Sequence, residues 1–184
     1  MRENHAGGYH LMITRRNFLQ AIAAASVFYP FRKVLASDNT ERRLSLYNIH
    51  TDESLDITYF SAGRYDFEAL GRINQLLRCH YNNEVKPIDI GVLDLLCDVK
   101  NRIGTDKEIQ IISGYRSPEY NDYLRSIGRN VAKNSFHMKG IAIDFSIKGF
   151  NMSSLSTTAK SFLAGGVGLY PEFVHIDTGP VRYW

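Results

Sequence analysis

Two short segments in the second half of the chain alternate apolar and polar side chains with a period of two. They read "IAIDFSI" at 141–147 and "FVHIDTG" at 173–179. Since successive side chains of a strand point to opposite faces of a sheet, each segment predicts a strand with one apolar face. The opposite face carries Asp144 in the first segment, and His175 and Asp177 in the second. The sequence therefore predicts a sheet with carboxylate and imidazole groups on the face turned away from its core.

A further histidine precedes the first of these segments. His137 stands in "NSFHMKG", seven positions before Asp144, and Gly140 allows the backbone to turn between them. A loop histidine, a strand aspartate and the later strand histidine, His175, can converge as two nitrogens and one oxygen. This donor set suits Zn²⁺ with its fourth position open to water. The alternative for each histidine taken alone is a structural hydrogen-bonding role.

Patterns elsewhere predict the remaining elements of the fold. Alternating residues on both sides of "TDE" predict a β-hairpin, and "EIQIIS" predicts a short strand. Helices are predicted at 67–81, 89–104, 119–127 and 155–164. Asp89 is the expected cap of the second helix. This order of elements predicts an α+β fold in which helices flank a small antiparallel sheet.

The first 36 residues differ in composition from the rest. Two arginines in "TRRNFLQ" precede the uncharged stretch "FLQAIAAASVFYP", which is too short to span a bilayer as a helix. The segment predicts a secretory leader cut after Ala36, and the paired arginines are typical of twin-arginine export. An uncleaved anchor or an ordinary secretory signal is the alternative. Cleavage leaves residues 37–184 as one periplasmic domain without a stable membrane span.

The charge balance changes once this leader is removed. The chain has 22 basic and 19 acidic residues, and residues 1–36 hold five of the basic ones and one of the acidic ones. Residues 37–184 therefore carry a formal net charge of −1, which gives no basic excess of the kind that binds nucleic acid. Their number suits a single core, and we expect a monomer. Cys79 and Cys97 form either one disulfide or two buried free thiols.

The segments around the predicted ligands also resemble a known family. "SFHMKGIAIDF" followed by "GGVGLYPEFVHIDTGPVRYW", together with "SGYRSPEYN", resembles the zinc metallopeptidases that include D-alanyl-D-alanine carboxypeptidases and the hedgehog-type fold. The hairpin, the segment "GRYDFEAL", the helix pair and the terminal "VRYW" look more closely like the periplasmic murein endopeptidase K group. The resemblance covers essentially all of residues 37–184. It implies a hedgehog-type, D-Ala-D-Ala-peptidase-like fold for them.

Carried over position by position, the resemblance implies the zinc ligands His137, Asp144 and His175. It also implies that Arg116 and Ser135 line the substrate subsite, with Tyr115 beside Arg116 in "GYRS". A guanidinium suits a substrate carboxylate or the oxyanion that forms during amide attack. The alternative for Arg116 is a structural ion pair with the helix that follows it.

Zinc-assisted amide hydrolysis needs a base for the proton of the attacking water. Glu172, three residues before His175, matches the Glu-x-x-His arrangement of some relatives and is the first candidate. The alternative for Glu172 is an exposed acid at the start of a strand. Asp177 is the second candidate, or it hydrogen-bonds a ligand histidine and orients it. Other relatives carry a histidine where this chain has Phe173.

These features predict a zinc-dependent periplasmic murein endopeptidase that hydrolyses peptide cross-links of peptidoglycan, with catalytic roles for Arg116, Glu172 and Asp177. One alternative is a D,D- or L,D-carboxypeptidase that trims stem peptides. Another is a zinc-containing cell-wall binding module without turnover. Tyr170 and Trp184 are interpreted as packing residues, and the terminal aromatics are expected near the wall of the cleft.

Overall fold

The computed structural model describes residues 41–184, so the predicted leader and its cleavage point lie outside the described residues. The strands are β1 (Arg42–Asn48), β2 (Glu53–Ser61), β3 (Arg64–Tyr65), β4 (Ile109–Ser113), β5 (Ala142–Ile147), β6 (Gly166–Leu169), β7 (Val174–Asp177) and β8 (Arg182–Tyr183). The helices are α1 (Phe67–Leu76), α2 (Ile90–Arg102), α3 (Pro118–Ser126) and α4 (Met152–Lys160), and a 3₁₀ turn spans Phe136–Lys139. Within this range, no helix combines the length and the apolar character that crossing a bilayer requires.

The strands described join in one mixed sheet of order β3-β2-β1-β4-β5-β7-β6-β8. β1 runs parallel to β4 and β6 runs parallel to β8, whereas the other neighbours are antiparallel. The broad α+β class is confirmed, but the prediction of a small antiparallel sheet is wrong. The sheet is larger because the predicted hairpin, β1 and β2, pairs through β1 with β4 and so continues into the strands of the second half.

Capping contacts explain where the helices begin and end. The Asp89 side chain accepts a hydrogen bond from the Val92 N–H, as expected for the cap of α2. Asn151 accepts from the first backbone N–H groups of α4, so this helix begins earlier than predicted. α1 ends at Leu76, before the predicted end at residue 81. Its last carbonyls accept hydrogen bonds from Asn48 and from the Tyr115 backbone instead of from a further helical turn.

The core lies against one face of the sheet, where α1 and α2 pack. Helix α2 contacts β1, β7 and α4. The fully buried large side chains at its centre include Leu44, Tyr59, Ile73, Leu96, Ile143 and Phe145, and burial of one such aliphatic or Phe side chain contributes about 1.5–3 kcal/mol. Cys79 and Cys97 are buried as free thiols. Because Ile143 and Phe145 point into this core, the alternation of β5 turns Asp144 to the opposite face.

Candidate metal centre

Three side chains from different elements meet on the face of the sheet opposite the core. Asp144 in β5 and His175 in β7 are direct partners in the antiparallel register of these strands. His137 comes from the 3₁₀ turn, which ends at Gly140 with a φ of 71° and returns the chain into β5. One ligand atom from each of the three residues lies within 4.8 Å of the other two. The structure thus brings together the three predicted metal ligands, all of them buried.

The partners of His137 decide which of its nitrogens faces the other two residues. Nδ1 lies 2.8 Å from the Gly114 carbonyl oxygen. A carbonyl only accepts, so Nδ1 carries a hydrogen, and Nε2 is the nitrogen that can bind a metal ion. Nε2 lies 3.3 Å from Asp144 Oδ2 and 3.3 Å from His175 Nδ1. His137 therefore offers Nε2 to the centre of the cluster.

His175 is oriented in the reverse sense. Its Nε2 lies 2.9 Å from Asp177 Oδ2, and its Nδ1 lies 2.8 Å from Asp144 Oδ1. With Asp177 as the outer acceptor, Nδ1 faces the cluster. This contact is the orienting arrangement that the sequence suggested for Asp177.

Asp177 is fully buried and has little hydrogen-bonding capacity left for other work. Oδ1 accepts from the backbone N–H groups of Gly166 and Gly179 and from Arg182 Nη1. Oδ2 accepts from Arg182 Nη2 at 2.7 Å in addition to its contact with His175. A carboxylate in this position can orient the imidazole, whereas it is poorly placed to take a proton from water in the cavity.

The charges of the cluster support one another. Burial alone raises the pKa of Asp144, but the neighbouring His137 and His175 outweigh it and hold this pKa well below its ordinary range. Burial alone lowers the pKa of His175, and hydrogen bonds to Asp144 and Asp177 outweigh it and raise the pKa to about 9. For Asp177, contacts from His175 and Arg182 likewise outweigh burial and lower the pKa. The two acids are ionised at neutral pH.

The donor set fits a divalent metal ion. Two imidazole nitrogens that face the cluster and one ionised carboxylate form a set of three ligands, and the metal takes the place of the hydrogen on His175 Nδ1. Each imidazole is also held from outside, one by a backbone carbonyl and one by a carboxylate, as is usual for metal-binding histidines. The residues present therefore suit a metal with three protein ligands and an open position.

The cluster forms part of the wall of a cavity of about 380 Å³. Arg116 and Ser135 also line this cavity, so the structure brings them to the three predicted ligands. Arg116 is 8% exposed, and the hydrogen bonds of its guanidinium go to neutral groups, Asn121 Oδ1 and Ser113 Oγ. Its Nε has no partner within residues 41–184.

No ion pair accompanies this buried cation within the part of the chain that the structure describes. The alternative of an ion pair with the following helix is thus not what the structure shows, because Asn121 of α3 is an amide. Burial lowers the pKa of Arg116, and the charge of Asp144 acts against this. A buried guanidinium with unused donors is suited to an anionic group of a ligand.

Two predicted site residues lie elsewhere. Glu172 is exposed in the bend before β7 and is absent from the cavity wall. Tyr115 is buried, does not line the cavity, and donates a hydrogen bond to Glu84 Oε1 at 2.7 Å. Burial together with this contact raises the pKa of Tyr115 to about 12. The structure does not bring either side chain to the cluster.

Several groups at the site were not assigned there from the sequence. The carbonyl of Gly114 orients His137, and Arg182 holds Asp177 while its guanidinium lies 5.0 Å from the Trp184 ring. A backbone carbonyl gives no sequence signal. Arg182 does have one, since it stands five residues after an acid on the site face and is the only basic residue in "GPVRYW".

Comparison with known proteins identifies the family of the chain. A protein-family model described as "Peptidoglycan L,D-endopeptidase MepK" matches residues 36–184. The chain belongs to this family. The peptidoglycan L,D-endopeptidase MepK of Escherichia coli (strain K12) is 46% identical over 145 residues, which cover 78% of this chain and 80% of that protein. The probable peptidoglycan L,D-endopeptidase MepK of Haemophilus influenzae is 37% identical over 153 residues, 82% of each chain.

Membership confirms the resemblance found in the sequence and makes the chain a peptidase. The family is one of the M15 peptidases, for which a metal is implied. The cluster of His137, Asp144 and His175 is where the described residues could hold such an ion. The alternative of a binding module without turnover loses its support.

Proposed function

We propose that the chain is a periplasmic, zinc-dependent endopeptidase that hydrolyses L,D peptide bonds in the cross-links of peptidoglycan. The observation that carries the proposal is that the three predicted metal ligands meet in one cavity with a buried arginine that has no ion-pair partner among residues 41–184. The bond specificity follows the names of the relatives in Escherichia coli and Haemophilus influenzae. Periplasmic location rests on the predicted twin-arginine leader and on the location of such a substrate.

His137 Nε2, one Asp144 oxygen and His175 Nδ1 would hold the ion. Zinc bound there would polarise the scissile carbonyl and lower the pKa of a water molecule. The Gly114 carbonyl and the Asp177 carboxylate keep the two imidazoles in the tautomers that this requires.

Arg116 and Ser135 are the substrate-binding groups of this proposal. The guanidinium binds a carboxylate of the stem peptide and so fixes the position of the scissile bond relative to the cluster. In the bound state the substrate carboxylate supplies the negative charge that pairs with this guanidinium, so no acidic side chain of the protein is needed for this purpose. The Ser135 hydroxyl lies on the same wall and is available to a peptide group of the substrate.

The direct test uses peptidoglycan itself. Purified sacculi are incubated with zinc-loaded protein of residues 37–184, and the released muropeptides are identified by mass spectrometry. We expect cross-linked dimers to become monomers, with masses that place the cut at an L,D bond. A chelator should abolish the reaction, and added zinc should restore it.

Variants separate the site from the rest of the domain. His137→Ala and His175→Ala should lose bound zinc and activity while keeping the circular dichroism of the parent. His50→Ala is the matched control, because His50 is exposed and contacts the Ile112 carbonyl outside the cavity. If the monomers are shortened while the dimers stay intact, the protein is a carboxypeptidase and not an endopeptidase. Full activity of His137→Ala would overturn the proposed metal site.

A further inference from the structure

Tyr170 places a phenol on the wall of the cavity. Apart from the three predicted ligands and two arginines, it is the one side chain with an ionisable group among the described residues that line this cavity. The two acids that the sequence offered as catalytic groups are unsuited to contact substrate there. Glu172 is exposed and does not line the cavity. Both oxygens of Asp177 are already hydrogen-bonded, to Arg182, to His175 and to backbone N–H groups.

The hydrogen bond between Tyr170 and Trp184 has only one possible polarity. Trp184 Nε1 lies 2.9 Å from Tyr170 Oη. An indole N–H donates and never accepts, so the phenol oxygen is the acceptor. The phenol's own hydrogen is then free, and no protein acceptor for it lies within hydrogen-bond distance among residues 41–184. Since Tyr170 is 37% exposed and lines the cavity, this donor is available to a bound ligand.

Two ring contacts hold this pair beside the cluster. The Tyr170 ring stacks on Phe173 with centroids 4.5 Å apart and planes 16° from parallel. The Trp184 ring lies with its centroid 5.3 Å from that of His175. The phenol is thus fixed through its ring by Phe173 and through its oxygen by Trp184, and it is the Trp184 ring that contacts the predicted metal ligand His175.

The strand pairing brings the last residue of the chain to this place. The Leu169 N–H donates to the Trp184 carbonyl at 2.9 Å, and the Trp184 N–H donates to the Val167 carbonyl at 3.3 Å. Gly168 lies between Val167 and Leu169 in β6 and faces His175 in the register of β6 and β7. A Cβ at Gly168 would stand 2.6 Å from the indole, so only glycine leaves room for the Trp184 ring there.

We propose that Tyr170 is a catalytic residue whose O–H donates a hydrogen bond to the oxygen of the scissile amide, and that Trp184 is its positioning residue. The assignment rests on the proposed function. As the amide carbon is attacked, negative charge develops on that oxygen, and a donor already aimed at it stabilises this charge without reorganisation. The substrate is a peptide whose carboxylate lies on Arg116 and whose reacting amide lies under the phenol.

The test measures kcat and KM of zinc-loaded variants on purified cross-linked muropeptides. Tyr170→Phe keeps the ring stack on Phe173 and removes only the hydroxyl, so we expect kcat to fall about 100-fold with KM within about threefold of the parent and zinc content unchanged. Trp184→Phe removes the indole N–H, and a loss of about tenfold in kcat is expected because the hydroxyl is present but less well held. Tyr47→Phe is the control, since this phenol is hydrogen-bonded to Asp52 in the hairpin, away from the cavity.

Fluorescence supplies a readout that does not depend on turnover. Trp184 is the only tryptophan of the chain, so its emission reports the indole of the proposed pair alone. Tyr170→Phe should shift the emission, and Tyr47→Phe should not. A parent protein inactive on every muropeptide would overturn the proposed function, and the role of Tyr170 with it. An active parent with a Tyr170→Phe variant of equal kcat would overturn the role of Tyr170 alone.

Discussion

His175 Nε2 lies 2.9 Å from Asp177 Oδ2, and this contact between residues two positions apart on one strand sets the direction of the imidazole. The ring is left with Nδ1 pointing at Asp144, 2.8 Å away. Arg182 in turn holds Asp177 through both guanidinium Nη atoms. The orientation of His175 at the cluster therefore depends on a chain of contacts that reaches to the last strand.

Asp177→Asn is expected to weaken zinc binding by about 10–100-fold, because an amide is a poorer acceptor for the imidazole N–H and loses the ion pair with Arg182. Isothermal titration of metal into chelator-treated protein measures this. Asp106→Asn, at an exposed acid, should bind zinc like the parent. An unchanged affinity in Asp177→Asn would show that the carboxylate does not orient the ligand.

Arg116→Met tests whether the buried guanidinium acts on substrate or holds the fold. Its hydrogen bonds go to neutral oxygens at 3.3 and 3.4 Å, so replacing the charge by a flexible apolar chain should leave the melting temperature equal or higher. We expect kcat/KM on muropeptides to fall by about 100-fold or more. A fall of more than about 5 °C in the melting temperature, corresponding to over 1 kcal/mol, would instead indicate a structural role.

Glu172→Gln separates the sequence prediction from the placement in the structure. A general base must come within hydrogen-bond reach of the water it activates, and Glu172 is exposed outside the cavity wall. From this placement we expect kcat to change by less than about threefold, measured with the same muropeptide assay at several pH values. Loss of activity together with loss of the acidic limb of the pH profile would support the predicted base.

The contrast between Asp177 and Glu172 shows how far the sequence could lead. Alternation placed His175 and Asp177 on one face, and the structure has both there because β7 covers Val174–Asp177. Glu172 stands before this strand begins, where the period of two no longer applies. The Glu-x-x-His spacing of some relatives therefore could not show where the Glu172 side chain lies.

The number of strands in the sheet could not be predicted from the sequence, for a different reason. β3 and β8 contain two residues each, too few to show a periodic pattern. β8 exists because Arg182 and Tyr183 pair with β6, a contact between segments that only the folded chain brings together. The position of Trp184 beside His175 follows from that pairing, so the sequence could suggest terminal aromatics near a cleft but not their contacts.

The stability of the metal-free protein should fall as the pH rises from 6.5 to 9. The pKa of His175 is raised from 6.5 to about 9 in the fold. The contribution of the protonated imidazole to the free energy of unfolding is therefore fully present below pH 6.5 and is lost as the pH passes about 9. A pKa shift of this size corresponds to a change of roughly 3 kcal/mol at most in the free energy of unfolding. The pKa values of Asp144 and Asp177 are lowered in the fold. Their contribution to the free energy of unfolding is therefore lost only at acidic pH and stays constant between pH 6.5 and 9.

Urea unfolding in the presence of a chelator, at pH 6 and pH 9.5, measures the change. His175→Asn should lose most of the pH dependence. Because a metal must displace the same proton, zinc affinity should rise over this range in the parent. Equal unfolding free energies at the two pH values would contradict the paired state of His175.

Gly140→Ala tests the turn that connects two predicted ligands. Gly140 has a φ of 71°, which costs an L residue about 1–2 kcal/mol, and a Cβ there would stand 2.5 Å from the Pro87 carbonyl oxygen. Gly63→Ala is the matched control, since Gly63 has a φ of 76° and a Cβ at that position would have nothing within 4 Å. Both variants should lose unfolding free energy in urea, but only Gly140→Ala should also lower zinc affinity, because the clash displaces the turn that carries His137 relative to Asp144. Equal zinc affinity in both variants would mean that the turn absorbs the clash without moving the ligand.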